Sequence, residues 1–166
     1  RIRGLRRRAA PHLFTDTFLY KITTNTPATE LQLLCSTLTS GLGRPRNIIP
    51  KTVTSQIMPT LYNSSNQNSD VVEAQLCLID YLGVSDTEYP CGNFRQLSNV
   101  NPTTFSGSWR SAARYCPGLL GPIRSDRNVP LVRIKFREFN FDSPRVVDLK
   151  VTFKYHTLPQ QDPIVN

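Results

Sequence analysis

The feature that most constrains the fold is a strict two-residue alternation of apolar and polar side chains late in the sequence. From Val147 to Tyr155 every odd-numbered residue is apolar, and from Asp148 to His156 every even-numbered residue is polar or charged. Successive side chains of a β-strand point to opposite faces, so the pattern predicts a strand that is buried on one face. A helix would instead repeat its apolar residues every three or four positions.

Similar patterns predict further strands elsewhere in the chain. Phe14 to Thr23 keeps its apolar residues mostly on one parity, and Val71 to Leu82 is apolar on both, as expected of an internal strand covered on both faces. Weaker strands are predicted at Thr52 to Met58 and at Thr103 to Arg110. The 166 residues therefore indicate one all-β domain arranged as a sandwich or barrel.

Two finer predictions concern the end of the chain and the start of the first strand. Val132 to Phe141 alternates with one reversal of parity, which predicts a bulge near Arg137 and Glu138. The composition Asp-Ser-Pro-Arg at 142–145 favours a turn, so this run and the final strand are predicted to form an antiparallel hairpin. Asp16 interrupts the apolar face of the first strand.

A single short helix is predicted between the first strand and the rest of the domain. Thr26 suits the cap, Pro27 suits the first helical position, and Gly41 suits the end. Between them, four apolar residues follow the spacing i, i+3, i+4, i+7: Leu31, Leu34, Cys35 and Leu38.

The positive charge of the chain is concentrated at its N-terminus. The formal charge is +8, and five arginines within the first eight residues account for +5, so the remainder carries +3: Arg1, Arg3, Arg6, Arg7 and Arg8. Such a segment has too few apolar residues to fold alone, and guanidinium groups bind phosphate oxygens bidentately. Residues 1–12 are therefore predicted to be a disordered arm that binds nucleic acid, with a nuclear-localisation signal or a solvated tail as alternatives. Because the first residue is arginine rather than methionine, we expect further basic sequence upstream.

A second set of arginines lies among aromatic residues between Ser108 and Asn128. The set is Trp109, Arg110, Arg114, Arg124 and Arg127, with Tyr115 nearby. Aromatic and arginine side chains together can stack on unpaired bases, which would make this a secondary nucleic-acid site. Equally, Trp109 and Tyr115 can be core or subunit-interface residues, and this structural interpretation is slightly favoured.

Enzymatic chemistry has little support in the sequence. The two histidines, His12 and His156, lie in no nucleophile or zinc motif, and no catalytic residue, metal site or cofactor is predicted. No apolar run is long enough to span a membrane, so no membrane partner is expected. The sequence has four cysteines and no Cys-x-x-Cys spacing: Cys35, Cys77, Cys91 and Cys116. This predicts buried free thiols, and two disulfides in a secreted protein are the alternative.

Taken together, the arginine arm at 1–8 and the closing strands at 132–158 resemble those of single jelly-roll coat proteins of small icosahedral viruses. The size is similar to that of satellite-type coat proteins or of small circular single-stranded DNA viruses. The resemblance implies a disordered arm over 1–12 and an antiparallel jelly-roll shell domain over 13–166. It also implies a capsid protein of about sixty identical copies, or a multiple, that assembles with itself and packages genomic RNA or single-stranded DNA. Such a protein would reside in the virion, and in the host cytoplasm or nucleus during assembly.

Two other classes of function remain open on the sequence alone. A cellular RNA-binding protein, such as a ribosomal protein, would also be small and basic, but it would usually spread its charge over the folded domain. A secreted β-sandwich binding module would explain the cysteines and leave the arginine arm without a role.

Overall fold

The computed structural model describes residues 12–24, 29–38, 46–60, 72–80, 87–98, 100–115, 119, 122–137 and 145–158. These residues include ten strands, a 3-10 turn at Cys35–Leu38 and a short helix, α1, at Trp109–Ala112. The strands are β1 His12–Thr24, β2 Thr29–Leu34, β3 Asn47–Thr60, β4 Glu73–Asp80, β5 Thr87–Pro90, β6 Arg95–Gln96, β7 Thr103–Ser108, β8 Ile123–Arg124, β9 Pro130–Arg137 and β10 Arg145–Thr157. No helix among the described residues is long and apolar enough to cross a membrane.

The strands form two antiparallel sheets that pack face to face. Sheet A has the order β1-β10-β3-β7, with β8 added beside β3, and sheet B has the order β2-β9-β4-β5, with β6 added beside β4. Except between β4 and β5, the chain changes sheet each time it passes from one of these eight main strands to the next. Two four-stranded sheets connected in this way form a jelly roll, so the predicted fold class is confirmed.

The alternating face of β10 supplies the centre of the core. Val147, Leu149, Val151, Phe153 and Tyr155 are all buried, as their parity predicts. They meet the inward-facing residues of sheet B across the sandwich, and both groups belong to one apolar cluster. Burial of an aliphatic or aromatic side chain contributes roughly 1.5–3 kcal/mol, so this layer accounts for much of the stability.

Asp16, which interrupts the apolar face of β1, has a partner in the core. The Tyr155 hydroxyl donates a hydrogen bond to Asp16 Oδ2 at 2.7 Å, and the Tyr155 ring stacks against Phe14 and Phe153. Burial and the adjacent carboxylate raise the pKa of Tyr155. The phenol therefore stays protonated and can serve as the donor that a carboxylate facing the core requires.

The predicted helix after the first strand is wrong. Residues Thr29–Leu34 form strand β2, and only Cys35–Leu38 turn helically, as a 3-10 turn. Strand β2 pairs with β9 along its length, with Leu33 buried and Gln32 exposed in the alternation of a strand. The helical spacing of the leucines was outweighed by backbone hydrogen bonds to a strand about a hundred residues away.

The predicted hairpin between the last two strands is also wrong. Both strands exist, but β9 lies in sheet B between β2 and β4, and β10 lies in sheet A between β1 and β3. Alternation shows which face of a strand is buried, but it does not identify the strand's neighbours. Register shifts occur instead at Leu33/Leu34 and at Lys154/Tyr155, while Glu138 of the predicted bulge lies outside the described residues.

Two other predictions hold. Strand β4 is covered on both faces: Leu76 and Leu78 face the core, and Cys77 and Ile79 are buried on the opposite side. The weaker strand at Thr103 to Arg110 exists as β7, although it ends at Ser108 because α1 begins there.

Candidate nucleic-acid interface

The arginines of the predicted arm lie outside the described residues. These are Arg1, Arg3, Arg6, Arg7 and Arg8. The first described element is β1, which begins at His12, four positions after Arg8, and forms one edge of sheet A. The arm, its boundary at residue 12 and its binding of nucleic acid stay predictions.

Trp109 belongs to the core and is not available for stacking on bases. It opens α1, where the Ser108 hydroxyl caps the turn by accepting a hydrogen bond from the Ser111 amide at 3.4 Å. The indole is fully buried and meets Phe153 edge-on, with ring centroids 5.4 Å apart. Trp109 is therefore a core residue, as the structural interpretation predicted, and its assignment to a nucleic-acid site is wrong.

The two arginines near Trp109 point into solvent beside an aromatic pair. Arg110 is exposed on α1 and Arg114 is exposed in the turn that follows. Tyr115 is 75% exposed and stacks on Tyr89 of β5, with centroids 5.9 Å apart and planes 14° apart. This places one exposed aromatic face and two exposed guanidinium groups on neighbouring residues at one end of the sandwich.

Arg124 is the last residue of β8, and Arg127 lies three residues further on, after the turn that follows it. Arg124 is 63% exposed and pairs with Asp126 at 3.0 Å. The turn is held by backbone contacts: the amide of Arg127 donates to the carbonyl of Arg124, and that of buried Ser125 donates to Arg46. Of the five residues predicted as one site, buried Trp109 is excluded from contact with nucleic acid, and a site formed by the four exposed arginines stays a prediction.

An open cleft of about 560 Å³ lies between the edge strands β7 and β5. The described residues that line it carry hydroxyl, thiol and aromatic groups but no carboxylate or imidazole; among them are Thr54, Tyr89, Cys91, Ser106 and Ser111. Burial raises the pKa of Cys91 to about 11, so its thiol is protonated at neutral pH. The lining holds no acid–base pair and no ready nucleophile.

The outer face of sheet B is covered by paired charges. Arg133 and Lys135 of β9 both donate hydrogen bonds to Glu88 of β5, and Arg133 also lies 3.6 Å from Glu30. Arg137 Nε lies 2.7 Å from Glu73 Oε2. Three acids thus balance three bases on this face: Glu30, Glu73 and Glu88 against Arg133, Lys135 and Arg137.

Glu88 is the centre of that network. Desolvation opposes ionisation of its carboxyl, but hydrogen bonds and charge from Lys135 and Arg133 outweigh this, so its pKa is lowered below the ordinary value. The buried Cys77 thiol lies within the influence of the same groups, and burial raises its pKa. The three acids and three bases of this described network therefore cancel in formal charge near pH 7.

The outer face of sheet A has a different composition. The pairing register places Thr17, Thr152, Thr54 and Ser106 in one row across the four strands. The neighbouring rows contain Lys150 and Lys154, both exposed. The alternation of the sequence places these two lysines on the polar side of a strand and predicts no binding role for them. Their alternation was visible, but their alignment with hydroxyls of three other strands depends on the register.

Comparison of the structure with solved proteins identifies the fold. No protein-family model matches the sequence, and no curated protein matches it. The structure is similar to the BFDV capsid protein in its decameric form, with a TM-score of 0.52 and 12% identity over 89% of this chain and 98% of that one. The fold is the jelly roll that this capsid protein also has. A weaker likeness, with a TM-score of 0.48 and 14% identity, covers 94% of this chain and 99% of a chain of Turnip Yellow Mosaic Virus.

The jelly roll has two outer faces, one on each sheet. That of sheet B is charge-balanced, and that of sheet A carries lysines among hydroxyls, with Asp148 as the one carboxylate among its described outward-facing residues. Three of the four cysteines, Cys35, Cys77 and Cys91, are free thiols in this fold, while Cys116 lies outside the described residues. The free thiols give no support to the secreted, disulfide-bonded alternative.

Proposed function

We propose that the chain is a viral capsid protein that assembles with itself into a closed icosahedral shell and packages genomic nucleic acid through its arginine-rich arm. The observation that carries the proposal is the strand order of the two sheets, together with the similarity to the BFDV capsid protein over nearly the whole of both chains. That protein was solved as a decamer, so the same fold supports self-association there. About sixty copies, or a multiple, would close the shell, because icosahedral symmetry fixes that number.

The role of the arm follows from charge. Residues 1–8 carry five arginines, which is more than half of the excess positive charge of the chain. Neutralising genomic phosphates with such a segment releases counterions, so binding weakens as salt rises. The proposed arm covers residues 1–12, and the shell domain covers 13–166. The protein would then reside in the virion and have a structural rather than a catalytic role.

The proposal is tested by measuring particle mass and nucleic-acid content together. Size-exclusion chromatography with light scattering, at low and high salt, gives the mass, and the ratio of absorbance at two ultraviolet wavelengths gives the nucleic acid. We expect a megadalton species that contains nucleic acid at low salt. In a variant with all five arm arginines changed to glutamine, we expect particles or smaller oligomers depleted of nucleic acid. A salt-independent monomer without nucleic acid would contradict the proposal.

A further inference from the structure

The lysines of this chain are concentrated in one sheet. Four of the five lysines lie on strands of sheet A, and only Lys135 lies in sheet B: Lys21 on β1, Lys51 on β3, and Lys150 and Lys154 on β10. All four side chains are exposed. Lys51 is the extra residue at the bulge where β3 passes Lys154 and Tyr155.

Little negative charge opposes these lysines. Among the described outward-facing residues of the four long strands, Asp148 is the one carboxylate, and it lies directly across from Lys21. No carboxylate among these described residues lies opposite Lys51, Lys150 or Lys154, which together carry a charge of +3. On sheet B the cationic side chains are neutralised by neighbouring carboxylates. The excess positive charge on the outer face of sheet A instead indicates an anionic partner.

The groups between the lysines suit phosphate. Lys150 and Lys154 are four residues apart on β10, about 13 Å along the strand, and the row between them contains one hydroxyl from each strand. Neighbouring strands lie about 4.8 Å apart, and the four hydroxyls belong to Thr17, Thr152, Thr54 and Ser106. Lysine ammonium groups and Ser/Thr hydroxyls are regular donors to phosphate oxygens.

The described outward-facing side chains of sheet A are mostly polar, with two exposed leucines on β1, Leu13 and Leu19. No Phe, Tyr or Trp occurs among the described outward-facing residues of β1, β10, β3 and β7. Protein interfaces are enriched in aromatic residues and depleted of lysine, and single-stranded bases bind by stacking on aromatic rings. The composition therefore fits contacts to a sugar-phosphate backbone that do not depend on base sequence.

We infer that the outer face of sheet A is a second nucleic-acid-binding surface, which contacts the phosphate backbone through Lys51, Lys150 and Lys154 and the hydroxyl row between the strands. This inference rests on the proposed packaging function and adds a second surface to the arm. Strand β1, which the arm precedes in sequence, forms an edge of the same sheet. The packaged strand then lies against sheet A, and the balanced face of sheet B points away from it.

The test compares two full-length variants of equal charge. One combines Lys51→Gln, Lys150→Gln and Lys154→Gln; the other, the arginine variant, combines Arg95→Gln, Arg133→Gln and Arg137→Gln, three arginines on strands of sheet B. Binding of single-stranded DNA and RNA oligonucleotides of mixed sequence is measured by fluorescence anisotropy over a salt series. For single strands each phosphate contact contributes about 0.7 to the salt slope, so the lysine variant should lose about 2 from its slope. The arginine variant should keep the wild-type slope.

The outcomes separate this inference from the capsid proposal. An equal loss of slope in both variants, or no loss in the lysine variant, would overturn the inference, whether or not light scattering shows shells. A lower slope in the lysine variant with no megadalton species from the wild-type chain would support the surface and contradict the capsid. Should the lysine variant fail to fold, acetylation of the wild-type chain with and without oligonucleotide replaces it. Protection of Lys150 and Lys154 but not Lys135 is then expected, and equal protection of all three would overturn the inference.

Discussion

Glu88 holds two cations on the outer face of sheet B, and its replacement tests that network. In Glu88→Gln, Arg133 and Lys135 lose the carboxylate that both contact, so we expect the free energy of unfolding at pH 7 to fall by about 1–2 kcal/mol. The folded pKa of Glu88 is lowered, so its contribution is complete above the ordinary value of 4.5 and is lost as pH falls through the folded value. Urea unfolding at several pH values should therefore show the two proteins converging below pH 4.5.

The control for this prediction is Glu30→Gln. Glu30 lies 3.6 Å from the same Arg133 and its side chain is about half exposed, so its loss should cost well under 1 kcal/mol. If Glu30→Gln destabilises the protein as much as Glu88→Gln does, or if the Glu88→Gln difference persists unchanged at low pH, the network is not organised around Glu88.

Gly107 of β7 lies against Leu78 of β4 and against Cys91, the residue after β5, and its lack of a side chain permits this close packing between the sheets. A Cβ at Gly107 would lie 2.8 Å from Cys91 Sγ and 3.3 Å from a methyl group of Leu78. Overpacking of this kind typically costs 1–3 kcal/mol, so Gly107→Ala should lower the thermal midpoint by several degrees. Removing the sulfur in the double variant Gly107→Ala, Cys91→Ala should recover part of the loss. Ser106→Ala, on the outer face next to it, should change stability by less than 0.5 kcal/mol. A Gly107→Ala protein as stable as the wild type would show that Gly107 does not pack closely against Cys91 and Leu78.

The strands differ in how far the sequence could predict them. The alternation of β10 fixes its buried face because one residue in two meets the core, whatever strand lies beside it. Strand β2 was mistaken for a helix because Leu31, Leu34 and Cys35 also fit helical spacing, and only pairing with β9 decides between the two. For the same reason the hairpin prediction failed: neighbours in a sheet are chosen by contacts distant in sequence.

The candidate site was predicted less well than the fold. Composition identified a concentration of arginine at residues 1–8, but it grouped Trp109 with Arg124 because they are close in sequence. Trp109 is in the core, and Arg124 is an exposed residue at the end of β8. Conversely, the lysines of sheet A are up to 133 residues apart in sequence, so their common face appears only when the register is known.

For the whole molecule, β10 is the strand on which sheet A depends. It lies between β1 and β3, pairing with both along most of its length. A chain that ends after residue 144 leaves those two strands without their shared neighbour and removes five core side chains. We expect it to lack a cooperative unfolding transition by near-ultraviolet circular dichroism. A chain that ends after residue 158 keeps all of β10 and should unfold cooperatively. Cooperative unfolding of the shorter chain would show that β1 and β3 can form a sheet alone.

The position of β10 in the chain also determines when sheet A can fold during synthesis. A ribosome makes β1 first and β10 last of the described strands, yet these two are partners in the finished sheet. Until β10 has been made, β1 has no strand to pair with, and sheet A lacks the strand between β1 and β3. Folding of such distant pairings is slow and begins only after their closure entropy has been overcome. Sheet A can therefore form only after residue 157 has been made, which keeps shorter nascent chains out of any growing assembly.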